Sequence, residues 1–334
     1  MQLGELPLVV APLAGGPTTP ELVVAAAEAG SFGFLAAGYL TPEAFDSRLG
    51  AVRATTQDLG VNLFVPDRSR VDRDAVRAYR ERLLPEAEAL GVDVPEPRWE
   101  DDDHWQAKLD LLVEQPVPWV SFTFGLPGAE VVELLHDAGS EVAVTVTGPG
   151  EARAAEEQGA DALVVQASAA GGHRGVFDPH APPADLPLPD LVRAVGAVTS
   201  LPLVATGGVG TAADVRAALG AGAVAVQAGT AFLLADEAGT SATHRAALQD
   251  ATYDETAVTR AFTGRPARGL RNGFMDRHSA AAPVGYPVIH HLTRPMRTRA
   301  AEVGDAERLH LWAGTGHRHA LAAPVATIIE VLLA

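Results

Sequence analysis

A chain of 334 residues, 47% of them hydrophobic, can bury one large core or two ordinary ones, and with only 5% aromatics Ala, Val and Leu must carry the packing. Its formal net charge of −17, from 25 Lys+Arg against 42 Asp+Glu, repels phosphate backbones and argues against nucleic acid as a partner. The lack of cysteine excludes disulfides, thiolate nucleophiles and Cys-ligated zinc or iron–sulfur clusters. The single lysine, Lys108, sits in an amphipathic stretch whose expected surface position makes it a poor Schiff-base candidate.

The opening M-Q-L-G-E-L-P has no basic region followed by an apolar segment, so no signal peptide is expected. No run of 18 apolar residues predicts a membrane helix, and a cytoplasmic protein is the expectation. Leu8–Leu13 predicts a first strand, turned by Gly15-Gly16 into a helix over Glu21–Ala29 with Thr19 as N-cap and Pro20 in the first turn. Phe32–Ala37 predicts the second strand, and Thr41-Pro42-Glu43 caps the next helix in the same way. Val61–Val65 predicts a third strand, ended by Pro66, and a long helix spans about Asp74–Leu90. Residues 91–103 break the rhythm and read as an insertion. Their acidic run, Glu100 to Asp103, reads as a solvated loop, and helix resumes over His104–Glu114.

Further strands follow at Trp119–Phe124, Val142–Val146, Ala162–Val165, Pro202–Thr206 and Ala223–Ala228, with crossover helices at Gly150–Gln158 and Asp214–Leu219. The proline-bearing stretch after His173 reads as a longer loop, a partial lid. Eight strands alternating with helices predict an α/β fold, a (β/α)8 barrel core over residues 1–235 with the insertion near 91–103. Residues 236–334 predict the last barrel helix and a helical C-terminal cap holding the loop Gly264–Gly273. Strand count alone leaves a doubly wound sheet open.

In a barrel the chemistry sits at the carboxyl ends of the strands. Those ends read Pro12, Asn62, Phe124, Thr147, Gln166 with His173, Gly207-Gly208 and Gly229-Thr230. Gly171-Gly172-His173 can lay bare backbone against a flat ligand and aim one imidazole at it. T-G-G-V-G (206–210) and Q-A-G-T (227–230) can cradle an anion with backbone N–H groups, where barrels commonly hold phosphate. Asn62 and Gln166 can each donate and accept, which suits the edge of a flavin ring. Gly208-x-Gly210-x-x-Ala213 also fits a dinucleotide fingerprint, but Val226–Thr230 lacks the acidic residue that fingerprint requires. His290-His291 and His317-Arg318-His319 match no metal-ligand spacing, and both read as solvated tail. No G-x-S-x-G elbow occurs.

Several stretches together resemble the FMN-dependent nitronate monooxygenases, formerly called 2-nitropropane dioxygenases. They are A-P-L-A-G-G-P-T-T-P-E-L (11–22), A-A-G-Y-L-T-P-E (36–43), V-N-L-F-V-P (61–66), S-F-T-F-G-L-P (121–127) and A-A-G-G-H-R-G (169–175). A-T-G-G-V-G (205–210), Q-A-G-T-A-F-L (227–233), Y-P-V-I-H-H-L-T-R-P-M-R (286–297) and L-W-A-G-T-G (311–316) extend the likeness, the last two toward that family's first class. The resemblance implies His173 as the active-site histidine. It implies cofactor contacts at Pro12, Leu13, Asn62, Gln166, Gly171, Gly208, Gln227, Ala228, Gly229 and Thr230, and the glycine pairs add Gly172 and Gly207.

Leu13 stands where the family pattern has Met. His290 and Arg294 stand where it has a second Tyr and then Lys in four-residue steps after Tyr286. With Phe124, these are the expected substrate contacts. The implied cofactor is FMN, and the implied substrates are an alkyl nitronate or nitroalkane and O2, giving a carbonyl compound and nitrite. Two alternatives stay open, an FMN-dependent NAD(P)H enoyl-thioester or quinone reductase and a non-catalytic flavin-binding protein. The oligomeric state is open too, a homodimer among the options.

Overall fold

The computed structural model describes residues 4–67, 69–181 and 185–334. Eight parallel strands close into a barrel: β1 (Leu8–Val10), β2 (Phe32–Ala36), β3 (Leu59–Phe64), β4 (Trp119–Thr123), β5 (Glu141–Val146), β6 (Ala162–Gln166), β8 (Leu203–Thr206) and β9 (Ala225–Ala228). The chain between β6 and β8 adds β7 (Gly172–His173). With β10 (Thr256–Thr259) and β11 (Ala267–Leu270) it makes a second, antiparallel sheet in the order β10-β11-β7.

The strands are short apolar runs because both faces are covered. Phe32, Phe34, Trp119, Val164 and Val204 fill the barrel interior with Val9 and three alanines. Phe32 and Phe34 meet edge to face at 5.4 Å. Burial of a ring such as Phe34 stabilises the barrel by about 2–3 kcal/mol. Gly60 leaves room for that ring, since a Cβ there would lie 2.3 Å from it.

Threonine caps set the helix starts: Thr19 accepts from the Leu22 N–H, Thr41 from Ala44, and Thr211 forms a capping box with Asp214. Each is followed at once by apolar periodicity, which is why these helices were readable locally.

Long-range packing departs from chain order. The helix 105–114 lies between helices 42–53 and 129–138 and serves as the barrel helix after β3. The longer helix 73–90 belongs to the cap. Its Val76, Tyr79 and Leu83 join Phe262, Ile289 and Leu292 in a second hydrophobic core. The excursion therefore runs from the end of β3 through residue 104, wider than 91–103. The barrel is completed by the C-terminal helix 325–333, packed between helices 212–220 and 20–28.

Two expectations are corrected here. Lys108 is not on a helix surface: it is 1% exposed and ion-paired with Asp103 at 2.7 Å. The acidic run is not simply solvated, because Asp101 holds His291 at 2.5 Å and Asp103 accepts the Tyr39 N–H at 3.0 Å. Pro182 to Ala184, within the stretch read as a partial lid, lie outside the described residues. Just upstream, the Phe177 N–H donates to Glu151 on the barrel at 2.8 Å. Among the described residues no helix is long and apolar enough to cross a membrane.

Candidate active site

The strand register levels the carboxyl ends into one rim, with Val10 beside Ala228, Asn62 beside Ser121, and Gln166 and Gln227 on either side of Thr206. A cavity of about 660 Å³ opens on that rim. Pro12, Leu13, Asn62, Phe124, Gln166, Gly171, Gly172, His173, Gly207, Gly208, Gln227, Ala228, Gly229 and Thr230 line it from the barrel, His290 and Arg294 from the cap. Tyr286 lines a smaller adjoining recess with Tyr39 and His290. Its ring reaches the rim edge-on, 5.3 Å from Phe124 and 5.9 Å from His173.

His173 is held by strand pairing. Its residue pairs with Ala267 across β7 and β11, and the Arg174 N–H donates to Pro266 O at 2.8 Å. Gln166 braces the same segment: Nε2 donates to His173 O at 3.1 Å and Oε1 accepts from the Gly175 N–H at 2.8 Å. One Nε2 hydrogen remains for a ligand. The His173 Nε2 shares a 2.9 Å hydrogen bond with Thr263 Oγ1. Nδ1 has no partner among the described residues.

Phe124, Tyr286 and Trp312 surround the imidazole at 5.6–5.9 Å. Burial, with the charges of Arg265 and Arg297, pulls its pKa down to about 3, so the ring is neutral near pH 7. Phe124 holds a positive φ of 83° at this spot, backbone strain of the kind that clusters at functional sites. The Arg265 guanidinium lies 4.2 Å over the Phe124 ring and pairs with Asp67 at 2.7 Å.

On the other side of the mouth, Gly207 and Gly208 take φ of 115° and 77°, which L side chains rarely adopt. The N–H groups of Gly208, Val209 and Gly229 donate to no described residue and stand free for an anion. The C-terminal return Ala313–Gly316 packs on these loops: a Cβ at Gly171 would meet Gly314 N at 2.4 Å. Of the stretches read as solvated tail, His317 and His290 are buried and His291 is largely so, whereas Arg318 and His319 are exposed. Asn62 turns its amide N–H groups to Ser121 and Thr123, leaving Oδ1 without a partner among the described residues.

This glycine-floored barrel mouth with its neutral histidine spans the same stretches as a model of the family described as nitronate monooxygenase, which matches residues 3–334. The chain belongs to that family. Probable nitronate monooxygenases of Staphylococcus aureus strains JH9 and MRSA252 are each 34% identical to it over 336 residues, 98% of this chain and 94% of theirs. The structure of nitroalkane oxidase from Streptomyces ansochromogenes is similar at a TM-score of 0.94 and 43% identity, covering 99% of this chain and 95% of that one. FabK from Thermotoga maritima is similar at 0.76 and 25% identity, over 99% and 92% of the two chains.

Family membership makes this chain an oxidoreductase of a flavin-dependent family. The free N–H groups by Gly208 and Gly229 suit a phosphate, and the Asn62 carbonyl and spare Gln166 hydrogen suit the edge of a flat, polar-rimmed ring.

Sequence reasoning missed Thr263, Arg265, Arg297, Trp312 and Tyr39. Arg297 had a legible signal. Within the helix Val288–Val303, His290, Thr293 and Arg297 recur at helical spacing beside the apolar stripe Ile289, Leu292, Met296, whereas Arg294 falls on the exposed side.

Proposed function

We propose that this chain oxidises alkyl nitronates, and more slowly their parent nitroalkanes, to a carbonyl compound and nitrite, with flavin mononucleotide as cofactor and O2 as second substrate. When bound, the flavin supplies the electron acceptor that O2 reoxidises. The observation that carries the reading is the neutral His173 at the cavity mouth. A nitronate is already an anion with electron density to give, so its oxidation asks little proton transfer of the protein. A base with a pKa near 3 removes protons poorly at neutral pH.

In this reading the backbone at Gly207–Val209 and Gly229–Thr230 holds the phosphate. Pro12, Leu13, Asn62, Gln166, Gly171, Gly172, Gln227 and Ala228 contact the rest of the cofactor. Thr263 Oγ1 donates to Arg265 O at 3.3 Å, so it accepts the Nε2 proton of His173 and leaves Nδ1 to orient the substrate. For a neutral nitroalkane, Nδ1 is the atom that takes the α-proton. Phe124, Tyr286 and Trp312 pack edge-on around the imidazole and fix its plane, and His290 and Arg294 meet the substrate from the cap.

An absorbance spectrum of the purified protein, then anaerobic addition of ethyl nitronate or NADPH, tests the proposal. A yellow protein bleached by the nitronate and not by NADPH supports it. Bleaching by NADPH alone reassigns the site to a nicotinamide-dependent reductase. A colourless protein that FMN cannot reconstitute overturns both.

A further inference from the structure

Arg297 is 7% exposed, and the acceptors it reaches among the described residues are neutral. Its Nε donates to Thr293 Oγ1 at 3.0 Å, and its Nη2 to His290 Nδ1 at 3.1 Å and His290 O at 2.9 Å. Among the described residues Nη1 has no acceptor, and no carboxylate stands within the 4.0 Å ion-pair distance. Buried charges are ordinarily paired, because a lone ion out of water costs several kcal/mol. Arg265, the other guanidinium whose charge bears on His173, follows that rule with Asp67. Arg297 does not. Burial pulls its pKa down to about 10, which leaves it a cation at neutral pH.

The bond to His290 Nδ1 also settles a tautomer. An imidazole nitrogen that accepts carries no proton, so in the neutral ring Nε2 must carry it. His290 is neutral, since burial and the Arg297 charge hold its pKa well below the usual value. Its Nε2–H has no partner among the described residues. Tyr39 stacks flat on the ring at 4.2 Å and 9°, which fixes its plane. Arg297 and His290 both line the main cavity. Two residues that line the cavity thus each keep a donor, one of them charged, with no acceptor among the described residues.

We infer that Arg297 and the Nε2–H of His290 form an oxyanion-receiving pair that makes the site select anionic substrates over neutral ones. The inference rests on the nitronate reading above. The His290 and His173 rings both contact Tyr286, at 6.4 and 5.9 Å, so one small molecule can reach both. The oxyanion is either the nitronate oxygens themselves or a carboxylate a few bonds away, and the two share the chemistry of planar oxygen anions.

The test compares wild type with Arg297→Met and Arg297→Lys on ethyl nitronate, a nitronate bearing a terminal carboxylate, and neutral nitroethane. Loss of a charge-assisted contact predicts that Arg297→Met raises KM for the anions about 10- to 100-fold. The rise for nitroethane should be several-fold smaller, and Lys should recover part of the difference. Flavin content should equal that of wild type. An effect on both nitronates assigns the nitronate oxygens to the pair, and an effect on the carboxylated one alone assigns the carboxylate.

Sodium nitrate, planar and unreactive, gives a readout without turnover. It should raise the Tm of wild type and His290→Phe should blunt the rise, while Arg297→Met should abolish it. Equal KM increases on charged and neutral substrates, flavin loss in Arg297→Met, or equal stabilisation of all variants by nitrate would each overturn the inference. If wild type turned over no nitronate, the functional proposal would fail, and the nitrate shifts would still decide the pair.

Discussion

Gln166 and His173 are joined by a hydrogen bond from the Gln166 Nε2 to the His173 carbonyl at 3.1 Å, while the same amide's oxygen accepts from the Gly175 N–H at 2.8 Å. A residue that reads as a ligand contact is thus also the brace of the loop that carries the histidine. Gln166→Leu leaves a part-buried N–H and C=O unmatched, which costs about 1–3 kcal/mol. Urea unfolding should show that loss, and kcat should fall as His173 loosens. A variant with unchanged stability and unchanged kcat would rule out the bracing role.

Lys108, on the barrel helix 105–114, and Asp103, just before it, make a comparable test. Arg98 and His291 meet Asp101 beside them, and Asp103 in turn anchors the Tyr39 N–H. Lys108→Met leaves the Asp103 carboxylate without its cation, and breaking such a pair costs about 3–5 kcal/mol where both charges are buried. Asp103 is partly exposed, so the lower end is expected. The double variant Lys108→Met with Asp103→Asn should regain much of the lost Tm. No regain would mean that Lys108 acts through packing alone.

Acid should weaken the fold through its histidines. His173 and His244 are pulled down to about 3 and about 4, chiefly by burial, and His290 and His310 lie well below the usual value for the same reason. The unfolded chain therefore binds more protons than the folded one once pH drops below about 6.5, and stability falls from there downward. Each such group contributes about 1.4 kcal/mol per pH unit. Glu86 and Asp101, lowered to about 2, lose their contribution only as pH falls below the ordinary carboxylate range. Melting temperatures between pH 7.5 and 5 thus report the histidines, and a flat profile there would contradict their burial as neutral rings.

Gly208→Ala should impair cofactor retention. At φ 77° an alanine is strained by about 1–2 kcal/mol, and its Cβ would lie 2.8 Å from that of Ala169. Gly150→Ala, with nothing within 4 Å, is the matched control. Flavin-to-protein ratios after gel filtration should fall for the first and hold for the second. Equal ratios would argue against a phosphate at Gly207–Val209.

His173→Ala separates orientation from proton transfer. A well-matched base contributes about 10²–10⁴-fold and His173, held low, should sit at or below the bottom of that range, so nitroethane turnover should suffer by up to about 10²-fold and nitronate turnover by less. Equal losses would reject the base role and leave orientation.

The barrel, and which residues stand at the carboxyl ends of its strands, were legible because both are written in short periods. Short apolar runs announce the strands, and Thr-Pro caps at Thr19 and Thr41 and the capping box at Thr211 announce helix starts, each within about ten residues. The glycine and amide positions then fall at strand ends by counting. By itself the sequence pointed to the eight-stranded barrel and to the family, and it placed the residues from Pro12 to Thr230 at strand ends.

Tertiary structure alone decided which helix follows β3, where Lys108 points, and that Arg297 lies buried without a carboxylate partner among the described residues. Asp101 finds His291 across 190 residues, and Thr263 finds His173 across 90. No local period records such pairings. They follow from how a second hydrophobic core settles on the barrel mouth, and burying a charge or an imidazole there depends on every element that closes over it.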